Sequence, residues 1–292
     1  MRLRPRDTPA ATGPVLELHD TQDSEIAPGA WVRRALPQRS RRTVGAWCFC
    51  DHFGPSPAKD FEVGVHPHAG LSTVTWLFEG GLLHRDSLGT EQPIRPGQLN
   101  WMRAGHGISH SESLLPGAGK SIWGVQLWVA LPQPHREDPP AFFHHGALPT
   151  LSLPGLDAQV FVGELGSVSS PAQTRSPLVG ADLRLSGGGV LPLETTHEHA
   201  LLPLDAPIEV DAVQAQANQL LYLGTGRAQV EIKGRGRCLL LGGAPLGESL
   251  LMWWNFVGRR HDDIVAMHAA WQGQDGRFGA EAEGWIPAPP LP

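Results

Sequence analysis

Residues 61–112 read FEVGVHPHAGLSTVTWLFEGGLLHRDSLGTEQPIRPGQLNWMRAGHGISHSE. The stretch opens on a His-x-His pair, His66 and His68, and closes on a His-x-Glu pair, His110 and Glu112. On a strand, side chains at i and i+2 share a face, their Cα atoms about 6.5–7 Å apart. Two such strands lying side by side would converge three imidazoles and one carboxylate on a single ion. That donor set suits iron, manganese, nickel, copper or zinc and is poor for magnesium or calcium. Four protein ligands on an octahedral metal leave two positions open for substrate or oxygen. The intervening residues are strand segments and turns: Glu79-Gly80-Gly81 reads as a hairpin turn, 86–89 (DSLG) as another, and 95–98 (RPGQ) leads into a strand around Leu99–Arg103. The pattern predicts a metal held inside a small β-barrel.

Outward from this stretch, the whole chain reads as all-β. Glycine (35) and proline (27) punctuate its 292 residues, which favours many short strands over long helices. Hydrophobic residues make up 41%, enough for a sizeable core. TVGAWCFCDHFGP from Thr43 and the apolar run SIWGVQLWVAL from Ser121 suit strands, the latter a buried central one. Residues 132–150 are proline-rich and charged and read as a linker, which places a domain boundary near 135. Beyond it, LSLPG, AQVFVGEL, LRLSGGGVLPLE, IEVDAVQ, QLLYLGTG, AQVEIK and RCLLLGG continue the strand pattern. Helical periodicity is clear only in DDIVAMHAAWQ, where Ile264, Met267, His268 and Trp271 share a face and Asp262 or Asp263 is a candidate cap. The tail IPAPPLP cannot continue a helix.

The net charge of −6 argues against a surface built for nucleic acid, and Arg2, Arg4, Arg6, Arg39, Arg41 and Arg42 read as solvated. Three irregularly spaced cysteines, Cys48, Cys50 and Cys238, form no disulfide framework; Cys48 and Cys50 read as small core residues on one strand face. No run of about 18 apolar residues and no apolar leader is visible, so a reducing, cytoplasmic setting is expected.

Other candidates carry less. His84 in LLHRD reads as a structural strand residue, His106 as a loop histidine, and His144-His145 as exposed linker. His197-x-His199 repeats the spacing of the first pair, but no His-x-Glu follows it at a comparable distance, so the second half is expected to be metal-free. Trp76 and Trp101 are candidates for stacking on an aromatic substrate. Nucleotide-binding glycine motifs, a nucleophile elbow and thiol zinc spacing are all absent from the sequence.

The segment also resembles the signature of the pirin family, within the cupin superfamily. The likeness rests on HPH, on EGxxxHRDSLG, on IRPGxxxWMxAGxGIxHSE, on LLLGGxPLGE at 239–248, on DHFGP at 51–55 and on WWNFV at 253–257. It implies two jelly-roll cupin barrels packed face to face with a short C-terminal helix: a metal-binding barrel over 1–135 and a metal-free barrel over 136–292. It implies Fe(II) held by His66, His68, His110 and Glu112, the four residues that the spacing selects. It implies a dioxygenase of the quercetin 2,3-dioxygenase type, acting on a flavonol-like aromatic and O2; Glu112, once loosened from the metal, is the candidate general base. The alternative within the resemblance is an iron-loaded redox sensor that modulates a transcription factor or enzyme partner, without direct contact to nucleic acid or membrane. Many pirins carry glutamate where this chain has Ser72 and arginine where it has Ala69, which bears on pocket polarity.

Overall fold

The computed structural model describes residues 3–5, 10–27, 30–58, 62–279 and 284–291; Arg2, Arg6 and Phe61 lie outside them. Two jelly-roll barrels pack face to face. In the first, a seven-stranded antiparallel sheet runs in the order Ala141–His145, Leu99–Arg103, Leu71–Glu79, Ser121–Ala130, Trp47–Pro57, Ala30–Leu36, Gln22–Ala27. Ser121–Ala130 is central, as its apolar run suggests. Against this sheet lies a smaller one in the order Glu62–His68, Ile108–Leu114, Leu82–Asp86, Glu91–Ile94. Val32, Phe53, Leu77 and Ile122 of the large sheet pack on Leu82 and Ile94 of the small one. Their buried apolar area holds the two layers together.

The second barrel is built on a ten-stranded sheet. Its spine is two strands of 15 residues, Leu178–Pro192 and Gln229–Gly243, paired along their full length. AQVEIK and RCLLLGG, which look like separate strands in the sequence, are the two ends of the latter. Gly234 and Gly236 take positive φ (144° and 108°), so the chain bends there without leaving the ladder.

A shared core joins the barrels. Trp47, Val74, Trp76 and Leu127 of the first pack with Phe161, Leu178, Leu202 and Tyr222 of the second. Trp76 stacks on Phe161 at 4.9 Å. Trp47 is fully buried and its Nε1–H points at Val179 O (3.1 Å) and Gly242 O (3.0 Å). Beside it Gly45, at φ 54°, approaches the second barrel so closely that a Cβ would lie 2.8 Å from Gly243 Cα. Its N–H donates to buried Glu198 (2.6 Å), which also accepts from Tyr222 Oη (2.7 Å). The three cysteines are buried, and burial pushes the Cys48 thiol up to about 12.

Strand pairing crosses the chain's midpoint. Pro14–Asp20 joins the second barrel through Gln219–Gly224. Ala141–His145, in the stretch that reads as linker, adds an edge strand to the first barrel through Leu99–Arg103. An edge strand buries little, so its polar, proline-flanked sequence carries no strand periodicity. We propose that 1–135 and 136–292 remain the two units of the chain, each lending a strand to the other.

Among the described residues the one α-helix, His261–Gln272, buries Ile264, Met267, Ala270 and Trp271. Arg260 occupies the cap position instead of Asp262 or Asp263; Asp263 lies at N3 and accepts the backbone N–H of Arg259 and Arg260 (2.9 Å each). These bonds satisfy donors that the helix start leaves open. The helix packs with Ala69 and Phe256 beside the first barrel. The tail then returns to the small sheet, where Ile286 N–H donates to Val65 O (2.7 Å). No helix among the described residues is long and apolar enough to cross a membrane.

Replacing Trp47 by Ala should cost about 3–5 kcal/mol in denaturant unfolding, because it empties the joint between the barrels. A loss below about 1 kcal/mol would show that the joint does not hold the fold. Burial lowers His199 from 6.5 to about 4. Between those values the unfolded chain binds the proton and the folded chain does not, so His199 removes stability as pH falls below 6.5. Burial raises the Asp51 and Asp182 carboxyls, which act in the opposite sense. His199→Gln isolates the histidine: metal-free wild type should lose about 2 kcal/mol more than the variant between pH 7.5 and pH 5. Equal losses would contradict the assignment.

Candidate metal centre

The small sheet assembles the site by register. Its strands are antiparallel, with His110 opposite His66 and Ile108 opposite His68 on one side. On the other side, His110 faces Asp86 and Glu112 faces His84. With the i, i+2 alternation, this puts His66, His68, His84, Asp86, His110 and Glu112 on one face of three neighbouring strands. A bulge interrupts the ladder: pairing jumps from His110↔His66 to Glu112↔Val63. The bulged backbone is used twice. Gly64 O accepts from His66 Nδ1–H (2.8 Å), which leaves Nε2 with its lone pair, and Val65 O holds the returning tail.

The rings converge. Centroids lie 4.3 Å apart for His66 and His110, 5.0 Å for His66 and His68, and 5.1 Å for His68 and His110. Two overlapping triples of donor atoms, each within 4.8 Å of one another, share His110: His66–His68–His110 and His84–His110–Glu112. Of the four residues selected by sequence, His66, His68 and His110 form one triple, while Glu112 joins the other through His110 and lines the same cavity. His84, read in the sequence as structural, joins them. Neither triple includes His197 or His199, whose rings are 6.0 Å apart. His106 keeps to its loop, where its carbonyl accepts from Arg277 Nε (2.7 Å).

Burial dominates the electrostatics. It lowers His66 to about 4 and His68 and His110 well below the ordinary histidine value. The bond to Gly64 and the mutual repulsion of the rings are secondary. All three are neutral at pH 7, the form that donates to a metal. Burial raises Glu112, and Thr75 Oγ1 lies 3.0 Å from its Oε1 and 2.8 Å from Gln126 Oε1. Burial also pushes Asp86 up, but bonds from His84 and Thr90 together hold it below the usual carboxylate value. His68 Nδ1 and His110 Nε2 are buried without a hydrogen-bond partner. Orphaned buried nitrogens are costly in a finished core; here they fit a site that a cation completes.

The cluster lies in a cavity of about 450 Å³, lined also by Phe49, Trp128, Trp254, Asn255, Gln126 and Arg34. A larger hollow of about 640 Å³ on the second barrel includes His197 but no ligand triple, so the chemistry belongs to the smaller one. Trp76 and Trp101 do not line the site: both are core residues, Trp76 stacked on Phe161. The aromatic walls are Phe49 and Trp128, stacked at 4.0 Å, and Trp254. Trp128 meets His68 edge-on at 5.1 Å. Two facing jelly-roll barrels, with a histidine cluster inside the first, define a two-barrel cupin.

The comparisons with known proteins narrow the class. The family model described as Pirin matches residues 29–129, and that of the Pirin C-terminal cupin domain matches residues 180–279. The chain belongs to the pirin family. A Pseudomonas aeruginosa protein that bears the provisional name quercetin 2,3-dioxygenase is 43% identical over 98% of this chain and 94% of its own length. A pirin-like protein of Caulobacter vibrioides is 37% identical over 82% of this chain and 88% of its own. The crystal structure of an Acinetobacter baumannii protein titled quercetin 2,3-dioxygenase superposes with a TM-score of 0.90 at 40% identity, covering 95% of this chain and 96% of that one.

If these side chains hold the ion, a His66→Ala/His110→Ala variant should lose its metal in elemental analysis of the purified protein. Wild-type metal content in the folded variant would refute the site.

Proposed function

We propose that this chain is an iron-dependent cupin dioxygenase acting on a flavonol-like aromatic. The observation that carries the reading is a cluster of buried, neutral histidines opening into an aromatic-walled cavity. The similarity to proteins named quercetin 2,3-dioxygenase supports the substrate class. His66, His68, His110 and Glu112 are the residues we assign to the metal. A redox-active divalent ion there would supply a Lewis acid for an aromatic hydroxyl and a meeting place for dioxygen.

The protein's own groups do the rest. Phe49, Trp128 and Trp254 offer faces and edges on which a planar ring system can lie. Leu82 and Ile286 add apolar surface to the cavity lining. Arg34 stacks over Phe49 at 4.6 Å and is held by two bonds to Asp51 (2.8 and 2.7 Å), which fixes that wall. Glu112 is the base we assign to the substrate hydroxyl, since burial raises its affinity for a proton. Thr75 has one hydroxyl proton and two oxygen neighbours. When Glu112 carries a proton it can donate to Thr75, which then donates to Gln126, so the proton taken from substrate has a place to rest.

Trp254 holds an uncommon left-handed backbone, φ 50°, at the cavity wall. Glycine adopts that conformation freely, so Trp254→Gly removes the ring while relieving the backbone. With Fe(II), quercetin and oxygen, wild type should consume the flavonol absorbance faster than free iron. Trp254→Gly should raise KM by roughly 2–10-fold with a smaller effect on kcat. No turnover above free iron would sink the substrate assignment, and an unchanged KM would remove Trp254 from the substrate's surroundings.

A further inference from the structure

Behind the histidine cluster, away from the cavity, runs a line of three side chains. Asp86 Oδ2 lies 3.1 Å from His84 Nε2, and His84 Nδ1 lies 3.3 Å from His110 Nδ1. The Asp86 and His84 side chains are 0% and 3% exposed, and neither residue lines the cavity. Asp86 is anchored through Oδ1, which accepts the backbone N–H of Leu88 (2.9 Å) and Thr90 (3.0 Å). The plane of His84 is fixed by Phe142, stacked on it at 4.6 Å.

The donor and acceptor roles along this line follow from the chemistry of its two ends. An ionised carboxylate only accepts, so His84 carries its proton on Nε2. Its Nδ1 is then an acceptor, and the nitrogen facing it, His110 Nδ1, must donate. The single proton of neutral His110 therefore sits on Nδ1. Its Nε2 keeps a bare lone pair, and that is the buried nitrogen without a partner. Resting on the metal reading above, we infer that His84, oriented by Asp86, is a positioning residue that locks His110 as the Nδ1–H tautomer and presents its Nε2 to the metal. Without it His110 could carry the proton on Nε2, and metal binding would first have to move that proton. The second donor triple would make His84 a ligand itself. The cavity argues against this, since His66, His68, His110 and Glu112 all line it and His84 does not.

Two measurements on the full-length protein test the inference. In metal-free protein labelled with 15N-histidine, long-range proton–nitrogen correlation should show His110 protonated at Nδ1. An Nε2–H form in wild type overturns the inference without any variant. For affinity, Co(II) is titrated against a chelator into wild type, His84→Leu and His84→Gln. The leucine variant should bind about 10–100-fold more weakly at unchanged stoichiometry. Glutamine can accept from His110 through its carbonyl and donate to Asp86 through its amide, so it should restore affinity close to wild type. Equal affinity in wild type and His84→Leu overturns the inference while leaving the metal site standing. Complete loss of the ion in both variants, as in the His66→Ala/His110→Ala protein, would make His84 a ligand and overturn it as well. Failure of wild type to bind Co(II) would sink the metal reading, and the positioning role with it.

Discussion

Everything proposed for this chain depends on the register of one antiparallel strand against its two neighbours. Ile108–Leu114 sets His110 beside His66 on one flank and beside Asp86 on the other. A slip of one residue would turn His110 and Glu112 to the opposite face and scatter the cluster. Two features pin the register. The bulge near Gly64 and Val65 turns their carbonyls to the His66 ring and to the C-terminal tail. The cross-sheet contact from Thr75 to Glu112 ties the strand to the large sheet behind it.

The second barrel and the C-terminus act on the site from outside. The shared core around Trp47 and Trp76 fixes the back of the large sheet. The hairpin that ends in Phe256–Gly258 brings Trp254 and Asn255 to the cavity wall, with Val257 N–H bonded to Ala69 O (3.0 Å) beside His68. Ile286 reaches the same cavity from the far end of the chain. The cavity is therefore completed by Trp254, Asn255 and Ile286, which lie far along the chain from the proposed ligands.

The proposed ligand pairs stand out in the sequence because strand geometry has a period of two, and His66-x-His68 and His110-x-Glu112 obey it. His84-x-Asp86 obeys it too. In the sequence His84 reads as a structural strand residue alternating with Arg85, and only the register shows that it lies beside His110. The aromatic walls were misplaced for a similar reason. Trp76 and Trp101 sit near the proposed ligands in sequence but pack in the shared core, whereas Trp128 arrives from another strand and Trp254 from a hairpin turn. The all-β class followed from turn residues and alternation. The pairing of Pro14–Asp20 with Gln219–Gly224, and the edge strand Ala141–His145, depend on contacts between distant segments that no local pattern encodes.

The central claim is that His66, His68, His110 and Glu112 surround one metal ion. X-ray absorption at the iron edge of the Fe(II)-loaded protein counts those ligands directly. The account predicts scattering from three imidazoles and at least one oxygen, with one imidazole lost in His110→Ala. A spectrum with no imidazole scattering, or one unchanged by that substitution, would contradict it.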